Sequence, residues 1–295
     1  MIRIKVPATS ANMGPGFDCL GVALDLYNIF EIEEIEAGLE IIGCEDSYGG
    51  ATNLIYTSMQ RCFQKTGYQP KGLRIKIESD IPISRGLGSS AACIVGGILA
   101  ANQLSGGRLS KEELLEIANE IEGHPDNVAP ALLGGMVIAI QEQGKVFYDK
   151  ISLSDNLGFC ALIPDFTLST KDARAVLPQS LTYKDAIYNI SRASLLVTAL
   201  ANGKHELIRF ACEDALHQPY RRCLIPDYDE ILDKCRDLNC LGVFLSGAGP
   251  TIMALYDKSA LSISHELQVF LDQLPHRWSL KELSVDYQGA ICQIV

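Results

Sequence analysis

The residues with the clearest chemical potential lie at positions 82–92, where PISRGLGSSAA joins a strand-like run to an apolar, helix-like run. Gly86 and Gly88 let the backbone approach a ligand closely, and Ser89 and Ser90 supply hydroxyl groups at the start of the helix. The first turn of a helix leaves N–H groups unpaired at the positive end of its dipole. The pattern therefore predicts a cradle for phosphate groups, which we call the serine loop (residues 82–92).

A lone Gly-Ser turn more often has a purely structural role, and this loop lacks the GK[ST] ending of the P-loop NTPases. Two further segments favour ligand binding. EGHPDNVAP, at residues 122–130, follows a helix that a capping box at Ser110 and Glu113 starts and that Gly123 ends. LSGAGPTI, at residues 245–252, places glycines between two strand-like runs.

These three segments together resemble the motifs of the GHMP kinases, the family named for galactokinase, homoserine kinase, mevalonate kinase and phosphomevalonate kinase. Within that family, the resemblance is greatest to the homoserine kinases and covers nearly the whole chain. It is carried by PATSANMGPGFDCLG, EGHPDNVAPALLGG, STKDARAVLP and QPYRRCLIPDY. The resemblance implies an α+β GHMP kinase fold, with an amino-terminal domain like ribosomal protein S5, a ferredoxin-like carboxy-terminal domain and the active site between them.

The resemblance also implies ATP and Mg²⁺ as cofactors. The metal would be held by the Ser90 hydroxyl and by Glu122, with Glu120 as the competing carboxylate, since Mg²⁺ needs only one or two protein carboxylates. Arg85 stands where many relatives have a small residue, and it either contacts a phosphate or faces solvent. The expected nucleotide-binding residues are Ile83, Ser84, Arg85, Gly86, Leu87, Gly88, Ser89, Ser90, Ala91, Ala92, Gly247 and Gly249.

The implied substrate is homoserine, which carries a carboxylate, an ammonium and a hydroxyl group. Arginine side chains suit the carboxylate, and the resemblance assigns it to Arg174 and Arg221. Asp18 suits the ammonium by its charge. The full set of expected substrate-binding residues is Asn12, Asp18, His124, Thr170, Arg174 and Arg221.

Several GHMP kinases use an aspartate as a general base, whereas Asn127 stands near that place here. An amide cannot accept the proton usefully. We therefore expect the hydroxyl to lose its proton to a phosphate oxygen or to water, with Asn127 in a positioning role. Asp126 is the alternative base, although we expect it to hold His124 or backbone amides.

The elements that must position these residues form a mixed pattern of strands and helices. Strands are predicted at residues 2–6, 29–35, 73–78, 136–140, 158–163, 242–245, 252–256 and 288–295, and helices at 91–101, 110–122, 185–202 and 205–216. A chain of 295 residues exceeds what one core usually serves. We predict domains at residues 1–150 and 151–295.

Composition narrows the classes of partner. The net charge of -11 argues against nucleic acid or anionic lipid as the main partner, and the longest apolar runs are too short to cross a membrane.

The amino-terminal segment resembles a strand rather than a signal peptide, so a cytoplasmic location is expected. The ten cysteines are scattered, which favours reduced thiols. The family resemblance suggests a homodimer. The histidines expected at the surface or on helices are His205, His217, His265 and His276.

Two alternatives remain open at this point. One is another GHMP kinase, such as a mevalonate kinase, whose substrate has no ammonium for Asp18 to bind. The other is a regulator that binds nucleotide and has lost catalysis. The serine loop, Glu122 and Asn127 argue against the regulator.

Overall fold

Eleven strands form two sheets in the computed structural model, which describes residues 1–260 and 262–295. The strands are β1 (Ile2–Ala11), β2 (Leu20–Glu34), β3 (Gly38–Ile42), β4 (Gly72–Ser79), β5 (Met136–Glu142), β6 (Lys145–Ile151), β7 (Leu157–Pro164), β8 (Gly242–Leu245), β9 (Ile252–Asp257), β10 (Trp278–Leu283) and β11 (Ile291–Ile294). Seven of these strands form the first sheet, in the order β11-β1-β2-β4-β3, with β5 pairing with β2 and β6.

The helices connect the strands and cover the sheets. They are α1 (Leu54–Thr66), α2 (Ser89–Leu104), α3 (Lys111–Glu122), α4 (Pro125–Leu133), α5 (Thr170–Ala175), α6 (Tyr183–Ala201), α7 (His205–Ala211), α8 (Gln218–Arg221), α9 (Tyr228–Asp237) and α10 (Ile263–Leu271). The helix predicted at 205–216 is too long. It ends at Ala211 because the Asp214 carboxylate accepts the backbone N–H groups of residues 216–218 and bends the chain there.

The central helix of the first domain is α2, which packs against α1, α3, α4 and β1. Most of its residues are buried, as expected for a helix that is apolar on all sides. Its two glycines allow close packing, because a Cβ at Gly97 would lie 2.5 Å from the Ile55 carbonyl oxygen. This packing fixes the start of α2, where the serine loop ends.

The second sheet has the order β10-β7-β9-β8 and is antiparallel throughout. All residues of β7 are buried, and alternate side chains enter different cores. Phe159 and Ala161 join the core shared with the first sheet, whereas Cys160 and Leu162 join a core with α9 and α10. A central strand buried on both faces is therefore apolar along its whole length.

The α+β prediction is confirmed, with two sheets and helices packed on them. The boundary at residue 150 stays a prediction. The last strand, β11, pairs with β1 in the first sheet, so the chain enters the second sheet after β6 and returns to the first. The predicted strand at 288–295 is shorter than expected, at Ile291–Ile294.

Candidate active site

The serine loop connects β4 to α2, with Gly88 as the residue that precedes the helix. Gly86 and Gly88 adopt φ angles of 77° and 72°. No side chain caps the first N–H groups of α2, as far as the described residues show. These donors and the Ser89 hydroxyl are available to an anionic ligand, while the Ser90 hydroxyl is shared with Glu122.

Two neighbouring segments hold the serine loop in place. A Cβ at Gly86 would lie 2.3 Å from the Ser246 carbonyl oxygen, and one at Gly88 would lie 1.9 Å from Thr9 Oγ1. The Ser246 hydroxyl donates to the Gly86 carbonyl at 2.6 Å, and the Thr9 N–H donates to the Leu87 carbonyl at 3.2 Å. The turn at residues 246–249 thus lies directly against the loop, and both glycines are required by space as well as by φ.

A cavity of about 370 Å³ opens beside the loop. One part of its wall is formed by the apolar side chains of Leu54 and Ile55 in α1 and Ile77 in β4. Cys44, Tyr48 and Asn53 line the cavity beside them. Predicted residues that line the cavity are Ile83, Ser84, Arg85, Gly86, Gly88, Ser89, Ser90, Glu122, Asn127, Thr170, Gly247 and Gly249. Leu87, Ala91 and Ala92 are fully buried in the first core, so their side chains serve packing rather than ligand contact.

The Ser90 hydroxyl donates to Glu122 Oε2 at 3.0 Å, which joins the start of α2 to the end of α3. Burial raises the pKa of Glu122, and neighbouring His124 lowers it to a smaller extent. Such a carboxylate is stabilised as an anion by a nearby cation. Glu120 instead forms an ion pair with Arg61, outside the cavity. Of the two competing glutamates, Glu122 is therefore the one that contacts the serine loop.

Arg85 uses its guanidinium group on backbone carbonyls. Its nitrogens donate to Ile83 at 2.8 Å, Pro164 at 3.0 Å and Asp165 at 2.5 Å. The side chain is therefore not simply in solvent, and because Arg85 also lines the cavity, a phosphate contact stays a prediction. The side chain joins the serine loop to the end of β7, and so connects the two sheets at the edge of the cavity.

A second group of predicted residues lies beside the turn at 246–249. Asn12 Nδ2 donates to the Gly247 carbonyl at 2.9 Å, and Asn12 Oδ1 accepts the backbone N–H of Asp18 at 2.7 Å. The Asp18 carboxylate accepts two hydrogen bonds from Arg174, at 2.7 and 3.2 Å. The structure thus brings Asn12, Asp18 and Arg174 together, with Asp18 and Arg174 paired to each other.

Arg221 is a nearly completely buried cation, with 1% of its surface exposed. It donates to the carbonyl oxygens of Ala173 and Gly247, each at 3.1 Å. Burial and, second, the positive charge of Arg174 lower its pKa to about 10. No carboxylate among the described side chains forms an ion pair with it. A buried arginine without a carboxylate partner is a strong binding group for a ligand carboxylate.

His124 and Asp126 form a hydrogen-bonded pair, with Nδ1 and Oδ1 2.8 Å apart, as expected from the sequence. This hydrogen bond raises the pKa of His124. One carboxylate oxygen each of Asp18 and Asp126 and one ring nitrogen of His124 lie within 4.8 Å of one another. Next to them, Asn127 Oδ1 accepts the Thr9 hydroxyl at 2.7 Å. The amide NH₂ of Asn127 is then the group available to a ligand.

Several residues of this region were not predicted from the sequence. His217 was expected at the surface or on a helix; it directly precedes α8 and is fully buried, 2.9 Å from the Gly14 carbonyl oxygen. Its ring stacks on Phe17, with centroids 5.1 Å apart. Thr9 and the apolar wall of the cavity were not identified either. Only the position of His217 just before QPYR could have indicated its place, because residue type alone gives no signal for burial.

The chain matches the models of two GHMP kinase domains. These are the GHMP kinases N terminal domain at residues 53–135 and the GHMP kinases C terminal domain at residues 196–269. The homoserine kinase of Clostridium botulinum (strain ATCC 19397 / Type A) is 56% identical over 291 residues, with 99% of this chain and 98% of the relative covered. The chain belongs to the GHMP kinase family. The homoserine kinase of Clostridium beijerinckii is 53% identical, with 98% of each chain covered.

A crystal structure of homoserine kinase from Cytophaga hutchinsonii superposes with a TM-score of 0.88 at 30% identity, with 99% of this GHMP kinase and 97% of that chain covered. The two family matches contain the serine loop, Asn127, Arg221 and Gly247. Asp18 and Arg174 lie outside both matches and within the full-length similarity to the homoserine kinases. None of the described helices is long and apolar enough to cross a membrane.

Proposed function

We propose that this GHMP kinase transfers the terminal phosphoryl group of ATP to the side-chain hydroxyl of L-homoserine and forms O-phospho-L-homoserine. The observation that carries this proposal concerns Gly247. It lines the cavity beside the serine loop, and its carbonyl accepts hydrogen bonds from both Asn12 and Arg221. The cavity beside the serine loop and the group of charged side chains thus share Gly247. Full-length similarity to homoserine kinases supports the same substrate.

The substrate end of the site is complementary to an amino acid. Arg221 and Arg174 supply positive charge for the carboxylate, and Asp18 supplies negative charge for the ammonium. Asn12 fixes the loop that carries Asp18 through the hydrogen bond at 2.7 Å. Among the remaining predicted residues, His124 lies with Asp18 and Asp126, and Thr170 lines the cavity. We assign both to contacts with the bound amino acid.

The nucleotide end of the site holds phosphates by main-chain donors and hydroxyl groups. The open N–H groups of α2, with Ser89 and Ser90, face the phosphates, and the glycines of the loop allow their close approach. The apolar wall at Leu54, Ile55 and Ile77 gives the nucleoside a surface to pack on. Ser90 and Glu122 fit a metal site, since a hydroxyl and a half-buried carboxylate lie together at the serine loop; they would hold Mg²⁺, which neutralises phosphate charge.

No side chain in this arrangement is needed as a general base. The substrate oxygen forms a bond to phosphorus as the bond between phosphorus and the oxygen of ADP breaks, and phosphoryl transfer of this kind depends mainly on positioning and charge. Thr9 fixes the Asn127 side chain, whose NH₂ group orients the hydroxyl or the phosphate. The hydroxyl proton goes to a phosphate oxygen or to water. Asp126 is held by His124 and acts through it.

ADP release by the purified protein tests the function, with ATP and Mg²⁺ and with homoserine, mevalonate, shikimate, serine and threonine compared under one set of conditions. We expect strong turnover with homoserine alone. Turnover with another alcohol would keep the kinase activity and refute the substrate, and silence with all five despite ATP binding would indicate a regulator.

The same proposal includes a place in threonine biosynthesis, a cytoplasmic location and a homodimer. Each is supported by the similarity to the homoserine kinases rather than by a contact within this chain. Light scattering of the purified protein measures the mass in solution and so tests the dimer against the 32.1 kDa of one chain.

A further inference from the structure

His217 contacts two groups whose hydrogen-bonding roles are fixed. Its Nε2 lies 2.9 Å from the Gly14 carbonyl oxygen, which can only accept. Its Nδ1 lies 3.3 Å from Arg221 Nη1, which can only donate. The ring must therefore carry its hydrogen on Nε2 and present a bare Nδ1. His217 is a neutral imidazole in one tautomer, and this assignment follows from its partners.

The hydrogens of Arg221 can be assigned in the same way. Nε uses its one hydrogen on the Ala173 carbonyl, and Nη1 uses its two on Gly247 and His217. Nη2 keeps two hydrogens that have no hydrogen-bond partner within the described part of the chain. The contact with His217 acts together with those to Ala173 and Gly247 to fix the guanidinium plane, and the orientation of this plane determines where Nη2 points.

His217 is itself held firmly. Asp214, whose side chain is fully buried, accepts the backbone N–H of His217 at 2.9 Å and that of Gln218 at 2.7 Å. Phe17 stacks on the imidazole ring and lies 5.2 Å from the centre of the Arg221 guanidinium. Such support limits the positions that the ring can adopt.

From this geometry we infer that His217 is a positioning residue, which holds the Arg221 guanidinium in the orientation that binds the carboxylate of the substrate. The inference rests on the proposed function, since it assumes a substrate with a carboxylate group. Protonation of Nδ1 would replace the acceptor by a donor and place a second positive charge beside Arg221. The guanidinium would then lose one of its three fixed contacts.

The charged groups that face His217 act in both directions. Burial lowers its pKa most, Arg221 lowers it further, and Asp214 and Asp18 raise it. Since burial dominates, the ring is neutral at neutral pH and becomes protonated only as the pH falls below its ordinary range. Carboxylate binding should therefore weaken on the acid side, while ATP binding should not.

The experiment compares wild type, His217→Ala and His217→Gln by steady-state kinetics, with homoserine and ATP varied separately. The alanine variant loses a hydrogen bond to a charged group, which predicts a KM for homoserine raised by about 10- to 100-fold. The KM for ATP should change by less than about twofold, and glutamine, which can donate to Gly14 and accept from Arg221, should restore most of the affinity for homoserine.

The pH profile separates positioning from a merely structural role. In wild type, the KM for homoserine should rise as the pH is lowered from 6.5 into the acid range, and the rise should be much smaller in His217→Gln because its amide does not titrate. The matched control is His276→Gln, whose histidine is half-exposed beside Asp227 and should leave the profile unchanged.

Equal losses for both substrates in His217→Ala and His217→Gln would overturn the inference, and so would an unchanged KM for homoserine in both. If the alanine variant does not fold, the glutamine variant and the wild-type profile decide the question alone. Failure of the proposed function has a different signature, since wild type itself would then give no turnover with homoserine.

Discussion

Replacement of Gly88 by alanine tests whether the serine loop depends on its close contact with β1. Gly88 has a φ of 72°, and an added Cβ would lie 1.9 Å from Thr9 Oγ1. Thr9 would have to move, and its hydroxyl is the donor to Asn127 at 2.7 Å. The substitution therefore changes the conformation of the serine loop and, at the same time, the position of the Asn127 side chain.

Gly67 provides a matched control for the backbone strain. It ends α1 with a φ of 71°, and no atom lies within 4 Å of the Cβ that alanine would add. Gly67→Ala should therefore lower the free energy of unfolding only by the conformational cost of about 1–2 kcal/mol. Gly88→Ala adds overpacking of about 1–3 kcal/mol to the same strain.

Urea unfolding followed by circular dichroism measures both stabilities, and ADP release measures kcat and the KM for ATP. We expect Gly67→Ala to keep wild-type kinetics, whereas Gly88→Ala raises the KM for ATP and lowers kcat together. Equal unfolding free energies for the two variants, combined with unchanged kinetics in Gly88→Ala, would refute the argument from packing.

Three further predictions concern the metal, the proton and the pH. Glu122→Gln should raise the Mg²⁺ concentration for half-maximal rate by at least about tenfold, whereas Glu120→Gln should not; equal effects would contradict the assignment. Asn127→Ala should lower kcat by about 100-fold or less, and a near-total loss would indicate a direct part in proton transfer. Burial lowers the pKa of His217 from 6.5, so the unfolded chain binds a proton there before the folded protein does. Stability in urea should then fall below pH 6.5 by up to about 1.4 kcal/mol per pH unit, and fall less in His217→Gln.

The sequence was most informative where a local pattern determines a local structure. The capping box at Ser110 forms as predicted, and Gly123 ends α3 with a φ of 92°. The serine loop begins α2 where the change from glycine to apolar residues indicates. Each of these features depends on residues within one or two turns of each other, which a sequence displays directly.

Contacts between distant segments were beyond the same reasoning. The pairing of Asp18 with Arg174 joins residues 156 positions apart, and His217 reaches Gly14 across 203 positions. No spacing rule connects such residues, so a buried histidine could not be told from one at the surface. Arg85 shows the same limit, since its partners Pro164, at the end of β7, and Asp165, directly after it, lie 79 and 80 positions further along the chain.

The return of the chain to the first sheet has a consequence for motion. The second sheet is attached to the first by two connections, one after β6 and one before β11, rather than by a single linker. The second connection is itself anchored, because the Asp286 N–H donates to the Ala23 carbonyl and the Asp286 carbonyl accepts from the Gly135 N–H. These two connections, together with the shared core around Phe159 and Ala161, prevent free rotation of the second sheet. Any movement of this sheet on ATP binding should therefore be small and limited to rotation about an axis through the two connections.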